Sequence, residues 1–241
     1  MVQEQAMQNS DFLAEVYGLL AAGTYGWVCT FRADPGNAPP DVWSGRAYKG
    51  LPAQAAVIDT AERENTYFCT SILRATEDGE IVRRGDAFVR LAVLVLDDVR
   101  IEALKGFSYC IQTSAGKHQV GIFLDPDDPD CADAPLVDRV MSALAARGWM
   151  ASDRSGNNKV RYVRLPIGSN TKPRAAGVWR VQMEVWNPST RWTLADACDA
   201  VGIDLDGLRI AAALPKPASS STHGTHAGEF MAGLFGPTSD R

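Results

Sequence analysis

The 241-residue chain has no Cys-x-x-Cys pair, no long apolar run and only three histidines. Its five cysteines, Cys29, Cys69, Cys110, Cys131 and Cys198, are scattered and odd in number. That pattern argues against a Cys-rich zinc site and for a reducing compartment, with the cytoplasm as the expected location. No apolar stretch approaches the roughly 20 residues of a transmembrane helix, so no membrane partner is expected. Residues 1–12 lack a basic region followed by an apolar core, which counts against a secretory leader. Two of the histidines, His223 and His226, stand in a segment of Pro, Ala, Ser, Thr and Gly that begins at Pro215. A segment of that composition reads as a disordered tail or linker and holds a metal weakly. His118 is the histidine left for chemistry.

The formal net charge of -5 counts against a protein that coats nucleic acid by bulk charge. The distribution is uneven, however. Arg154, Lys159, Arg161, Arg164, Lys172, Arg174 and Arg180 follow one another with no acid between them. Upstream, Asp125, Asp127, Asp128, Asp130, Asp133 and Asp138 follow one another with no base between them. An acidic chain with one basic segment suits either an anionic ligand or a solvated charged face.

Periodicity gives an α+β class, because strands and helices mix without strict alternation. Phe12, Val16, Leu19 and Leu20 predict a helix capped by Asp11. Strand-like segments run over 25–31, 66–72, 88–96, 107–113, 118–124, 160–165 and 178–186. The continuous apolar run within 88–96 predicts one central strand covered on both faces. Segments 107–113 and 118–124 flank a Gly-containing loop and read as a hairpin. Leu136, Val137, Val140, Met141 and Leu144 form a core-facing stripe on a helix over 134–147, with Gly148 as its C-cap. Thr193 should cap a helix over 194–201, and 205–213 should form another. The expected organisation is a flexible 1–10, a main domain over 11–190, a small helical extension over 191–213 and a tail over 214–241.

Three constellations carry the chemistry. Asp97 and Asp98 end the central run. Two carboxylates there supply hard oxygen ligands for Mg2+ or Mn2+. Adjacent strand residues point to opposite faces, so both acids meet one metal only if the strand twists or bulges. Ser114, Lys117, His118 and Gln119 lie in and after the hairpin turn, where a phosphate would meet a cation and backbone N–H groups. The third constellation is the stretch from Arg161 through Arg164-Leu165-Pro166-Ile167-Gly168-Ser169-Asn170-Thr171-Lys172.

In this order the motifs resemble the RepB-like branch of the archaeo-eukaryotic primase superfamily, found in plasmid- and phage-type replication proteins. The matching residues run from Asn65-Thr66-Tyr67-Phe68 to Lys172. The resemblance implies an RRM-like mixed or antiparallel sheet core with flanking helices. It further implies a nucleotidyltransferase, a DNA primase or primase-polymerase, that uses nucleoside triphosphates, a single-stranded DNA template and two divalent ions, Mg2+ or Mn2+. A helicase domain or protein would be a natural partner. Asp97, Asp98 and His118 match catalytic positions. Asp153 stands where a third metal-binding acid is expected, with Glu184 as its competitor. Ser114, Lys117, His118, Arg161, Arg164 and Lys172 would contact nucleotide, and Arg154, Lys159, Asn170 and Arg174 would contact DNA. This chain departs from the family pattern in having its two acids adjacent rather than two apart. It also places three residues, rather than one, between Ser114 and His118. A non-catalytic replication-initiation module and a metal-dependent nuclease are the alternatives.

Overall fold

A computed structural model describes residues 7–36, 43, 45–150, 157–173 and 177–213. The α-helices among these residues are α1 (Asn9–Tyr17), α2 (Pro52–Asp59), α3 (Ala134–Ala146), α4 (Leu194–Ala200) and α5 (Leu205–Ala213). The first strands are β1 (Thr24–Phe31), β2 (Arg46–Tyr48), β3 (Asn65–Cys69), β4 (Ser71–Arg74), β5 (Phe88–Leu91) and β6 (Val93–Asp97). After them come β7 (Tyr109–Ser114), β8 (Lys117–Phe123), β9 (Tyr162–Arg164), β10 (Ser169–Asn170), β11 (Trp179–Arg180) and β12 (Gln182–Trp186). The fold is α+β. Among the described strands, every ladder is antiparallel.

One sheet runs β5-β4-β1-β3-β9, with β2 also on β1, and the other runs β12-β7-β8-β6. The central run is therefore two strands. β5 pairs with β4 in the first sheet, and β6 pairs with β8 in the second. The stretch expected as one strand over 66–72 divides likewise, into β3 and β4. The two breaks clamp each other, because the Thr70 carbonyl accepts from both Ala92 N (2.9 Å) and Val93 N (3.2 Å). The stretch over 178–186 also divides. β11 pairs with β10, and β12 joins β7.

The second sheet separates two apolar cores. Leu94, Leu96, Val120, Ile122 and Cys110 lie on the side of α3 and α4. Val93, Val95, Ile111, Tyr109 and Phe123 face the first sheet and α1. Phe12 of α1 sits edge-on to Phe68, Tyr109 and Phe123, with centroids 4.9–6.1 Å apart. Each fully buried side chain of this size contributes about 1.5–3 kcal/mol.

α3 buries the stripe read from sequence, and Gly148 beyond it has φ +76°. The Asp133 carboxylate accepts from Leu136 N at 3.0 Å. Thr193 caps α4, its hydroxyl accepting from Asp196 N at 3.1 Å. Leu194, Cys198 and Leu205 share the core of the α3 stripe. α1 begins at Asn9, so Asp11 lies inside it, accepting from Gln8 N at 3.1 Å, and Leu19 is fully exposed beyond its end. Among the described residues, no helix is long and apolar enough to cross a membrane.

Candidate active site

β6 carries Asp97 opposite Gln119 of β8. The Asp97 N–H donates to Trp149 O (3.0 Å), and the Asp98 N–H donates to His118 O (2.8 Å). Between those bonds the chain turns left-handed. Asp98 has φ +53°, the only described residue other than glycine with positive φ. Adjacent acids call for a local distortion of this kind if they are to act together. Asp97 lies on the inter-sheet side, where its carboxylate meets the buried Arg161 guanidinium. Arg161 also donates to Val95 O at 3.1 Å, which fixes it against β6. Asp98 turns to Lys117 at 2.5 Å, both side chains being about half exposed.

The hairpin of β7 and β8 closes through Ser114 and Lys117 around Ala115-Gly116, where Gly116 takes φ +67°. It presents His118, whose Nε2 lies 3.1 Å from the Glu184 carboxylate. Glu184 reaches that place from a β-bulge between Met183 and Val185 of β12. The same carboxylate takes the Cys110 thiol at 3.8 Å. Burial and then the Glu184 charge push that thiol up to about 12, so it stays protonated and donates.

The basic segment splits. β9 sends Arg161 toward Asp97 and Arg164 to the opposite face, as strand alternation requires. Arg164 is buried, with Nη1 donating to Asn65 Oδ1 (3.3 Å) and Ser169 O (3.2 Å), and it lies 4.8 Å from the Tyr67 ring centroid. Asn170 is buried and donates to Thr113 O at 2.7 Å, while Lys172 is exposed. Lys159 is tied to Asp138 of α3, at 2.5 Å. Asp153, Arg154 and Arg174 lie outside the described residues.

Three pairs thus stand about the end of β6: Asp97 with Arg161 on the inter-sheet face, Asp98 with Lys117 past the turn, and His118 with Glu184 on the opposite face of the second sheet. Lys159, Arg164 and Asn170 bond Asp138, Asn65 and Thr113 instead. Sequence reasoning missed Gln119 as a tie between the sheets. Its side chain donates to Arg164 O and accepts from Arg164 N, both at 2.9 Å. A polar residue of the apolar-face parity in β8 is the signal that pointed to it. Asp97 and Asp98 supply hard carboxylate oxygens of the kind Mg2+ and Mn2+ take. Among the described residues no group of three acids, histidines or cysteines is gathered for a metal ion. The donor chemistry fits a hard cation, with Lys117 as the exposed cation it would displace.

No protein-family model and no curated protein matches the chain. Solved structures do. The AEP domain of the cyanophage S-2L primase-polymerase is similar with a TM-score of 0.51 at 12% identity, over 80% of this chain and 96% of that one. The catalytic domain of the primase RepB', solved with initiator DNA, is similar with a TM-score of 0.51 at 13% identity, over 86% of this chain and 96% of that one. The chain shares the fold of these two primase-type domains. At such identities the primase fold is what is shared, and the contacts around Asp97, Asp98 and His118 are described from this chain alone.

Proposed function

We propose that the chain is a primase or primase-polymerase catalytic domain, joining nucleotides on a single-stranded DNA template in the replication of a plasmid- or phage-type element. One observation carries the reading. On a primase fold, β6 ends in two adjacent carboxylates, and the left-handed Asp98 donates its N–H to the backbone of His118, which pairs with Glu184. Asp97 and Asp98, with Asp153 or Glu184 as the third acid, would hold Mg2+ or Mn2+, which supplies charge neutralisation at the triphosphate and activation of the attacking hydroxyl. Arg161 keeps the Asp97 carboxylate oriented. Lys117 exchanges Asp98 for triphosphate oxygens, with the Ser114 hydroxyl beside it. His118, held by Glu184, adds electrostatic rather than covalent stabilisation. Arg154, Lys172 and Arg174 would serve nucleotide and template phosphates, in contacts that weaken as salt rises. Arg164, Asn170 and Lys159 hold the frame of that basic segment through Asn65, Thr113 and Asp138.

The test is incorporation of labelled nucleotides on single-stranded DNA with Mg2+ or Mn2+. Asp97→Asn and Asp98→Asn should each lower product formation by about 10²–10³-fold, the scale for loss of one charge-stabilising group. Equal product from the wild type and the double variant would reject the site. The ion pairing of both acids by Arg161 and Lys117 favours one other reading, a non-catalytic replication-initiation module. That module would bind DNA, would bind no nucleoside triphosphate and would incorporate nothing.

A further inference from the structure

We propose that the outer face of the first sheet is a stacking platform for the bases of single-stranded nucleic acid, centred on Phe31 and Trp43. The proposal rests on the template-dependent reading above and gives the template strand a place. Strand register defines the face. Cys29, Tyr67 and Arg164 are partners across β1, β3 and β9, so they share one side. Val28, Phe68 and Val163 share the other, which is the inter-sheet core. Phe31 and Tyr162 have the parity of the outer side.

On that side Trp43 touches three rings. Phe31 is 5.0 Å away and Tyr67 5.3 Å, both edge-on, and Tyr162 is stacked at 5.5 Å with 30° between the planes. Phe31, Trp43 and Tyr67 belong to neither of the two apolar cores. Phe31 and Trp43 are only half-buried, so ring surface remains open. Cations frame the group. The Arg83 guanidinium lies 3.9 Å from the Tyr162 ring centroid, and Arg164 stands by Tyr67. Arg32, next to Phe31, and Lys172, next to the Thr171 that bonds Asn65, are exposed. Asp34 is the acid whose charge Tyr67 senses. Half-open rings beside exposed cations such as Arg32 and Lys172 take bases on their faces and phosphates on those cations, with little regard to sequence.

The platform also leads to the acids. β9 ends the order of the first sheet, with Arg161 toward Asp97 on one side and Tyr162 and Arg164 toward the rings on the other. Buried hydrogen bonds tie that edge to the hairpin. Arg164 bonds Asn65, Asn65 bonds Thr171 (2.8 Å), and Asn170 bonds Thr113 in the hairpin strand that leads to Lys117 and His118. A strand stacked on Trp43 and passing Lys172 arrives where a nucleotide at Asp97 would be copied against it.

The experiment is fluorescence anisotropy of a labelled thymidine oligonucleotide with the full chain, at low and at raised salt. Trp43→Ala should weaken binding by about 5- to 150-fold, the range for loss of one base–aromatic stack. Trp43→Phe should restore most of it, and Leu19→Ser, at an exposed position outside the platform, should bind like the wild type. A second measurement covers the case in which Trp43→Ala fails to fold. Photocrosslinking of a bromouracil-substituted oligonucleotide to the wild type should label peptides containing Phe31 or Trp43. No binding by the wild type would sink the template reading itself. Wild-type binding that survives Trp43→Ala, or crosslinks confined to other surfaces, would overturn the platform and leave the rings a satellite core.

Discussion

At Asp98 a side chain proposed for chemistry occupies a backbone conformation that suits glycine. The left-handed region costs an L-residue roughly 1–2 kcal/mol, less for aspartate, which bonds locally. Asp98→Gly should therefore raise the unfolding free energy in urea by about 0.5–1 kcal/mol while removing nucleotide incorporation. A gain of stability with activity intact would show that Asp98 is not part of the site. The adjacency of Asp97 and Asp98, and the need for a distortion between them, were legible in the sequence. The pairing of Asp97 with Arg161 was not, because it depends on β9 crossing behind β6 from 64 residues away. The parting of Arg161 from Arg164 follows from strand alternation, since a regular strand cannot send both to one face.

Among the elements, the hairpin of β7 and β8 was the easiest to read and is the least tolerant of change. Gly121 of β8 lies opposite Tyr109 of β7, and a Cβ there would sit 1.9 Å from Tyr109 Cε1. Tyr109 is fully buried and has nowhere to go. Gly121→Ala should cost about 1–3 kcal/mol of stability in urea unfolding, and Tyr109→Leu in the same chain should recover part of it. α3 and the cap of α4 were legible because an amphipathic stripe and an N-cap are local. The divisions at Thr70 and Ala92 were not. An apolar run buried on both faces reads the same whether it stays in one sheet or passes between two. What breaks it is a carbonyl contributed by another strand.

For the molecule as a whole, the buried thiols make alkaline pH the weak side. Burial pushes Cys29, Cys110, Cys131 and Cys198 up to about 12 and Cys69 up to about 11. Burial raises Tyr17 and Tyr109 as well. In the unfolded chain the thiols ionise near their ordinary value of 9.0. Each raised thiol therefore contributes stability that is complete below about pH 9 and is lost as pH climbs toward 12. The thermal midpoint should fall steadily from about pH 8 to about pH 11. Ellman's reagent should react slowly with the native chain and with five thiols after denaturation. A flat midpoint and fast native labelling would mean that the cysteines are accessible.

The crease at Ala92 has a consequence for how this chain can vary. Because β5 and β6 are one ribbon folded between two sheets, the residues from the crease to Asp97 act as a ruler. One residue more or fewer in that interval would reverse every side chain of β6. Asp97 would then point toward α3, and Leu94 and Leu96 would point into the wrong core. The connection between β4 and β5, over 75–87, is tied at Val82 to Tyr25 and at Arg83 to Val160, but its exposed turn over 77–79 meets no such constraint and can lengthen. Length is thus rationed along this protein. It is fixed to the residue between Thr70's carbonyl and the acids, and open a few positions upstream.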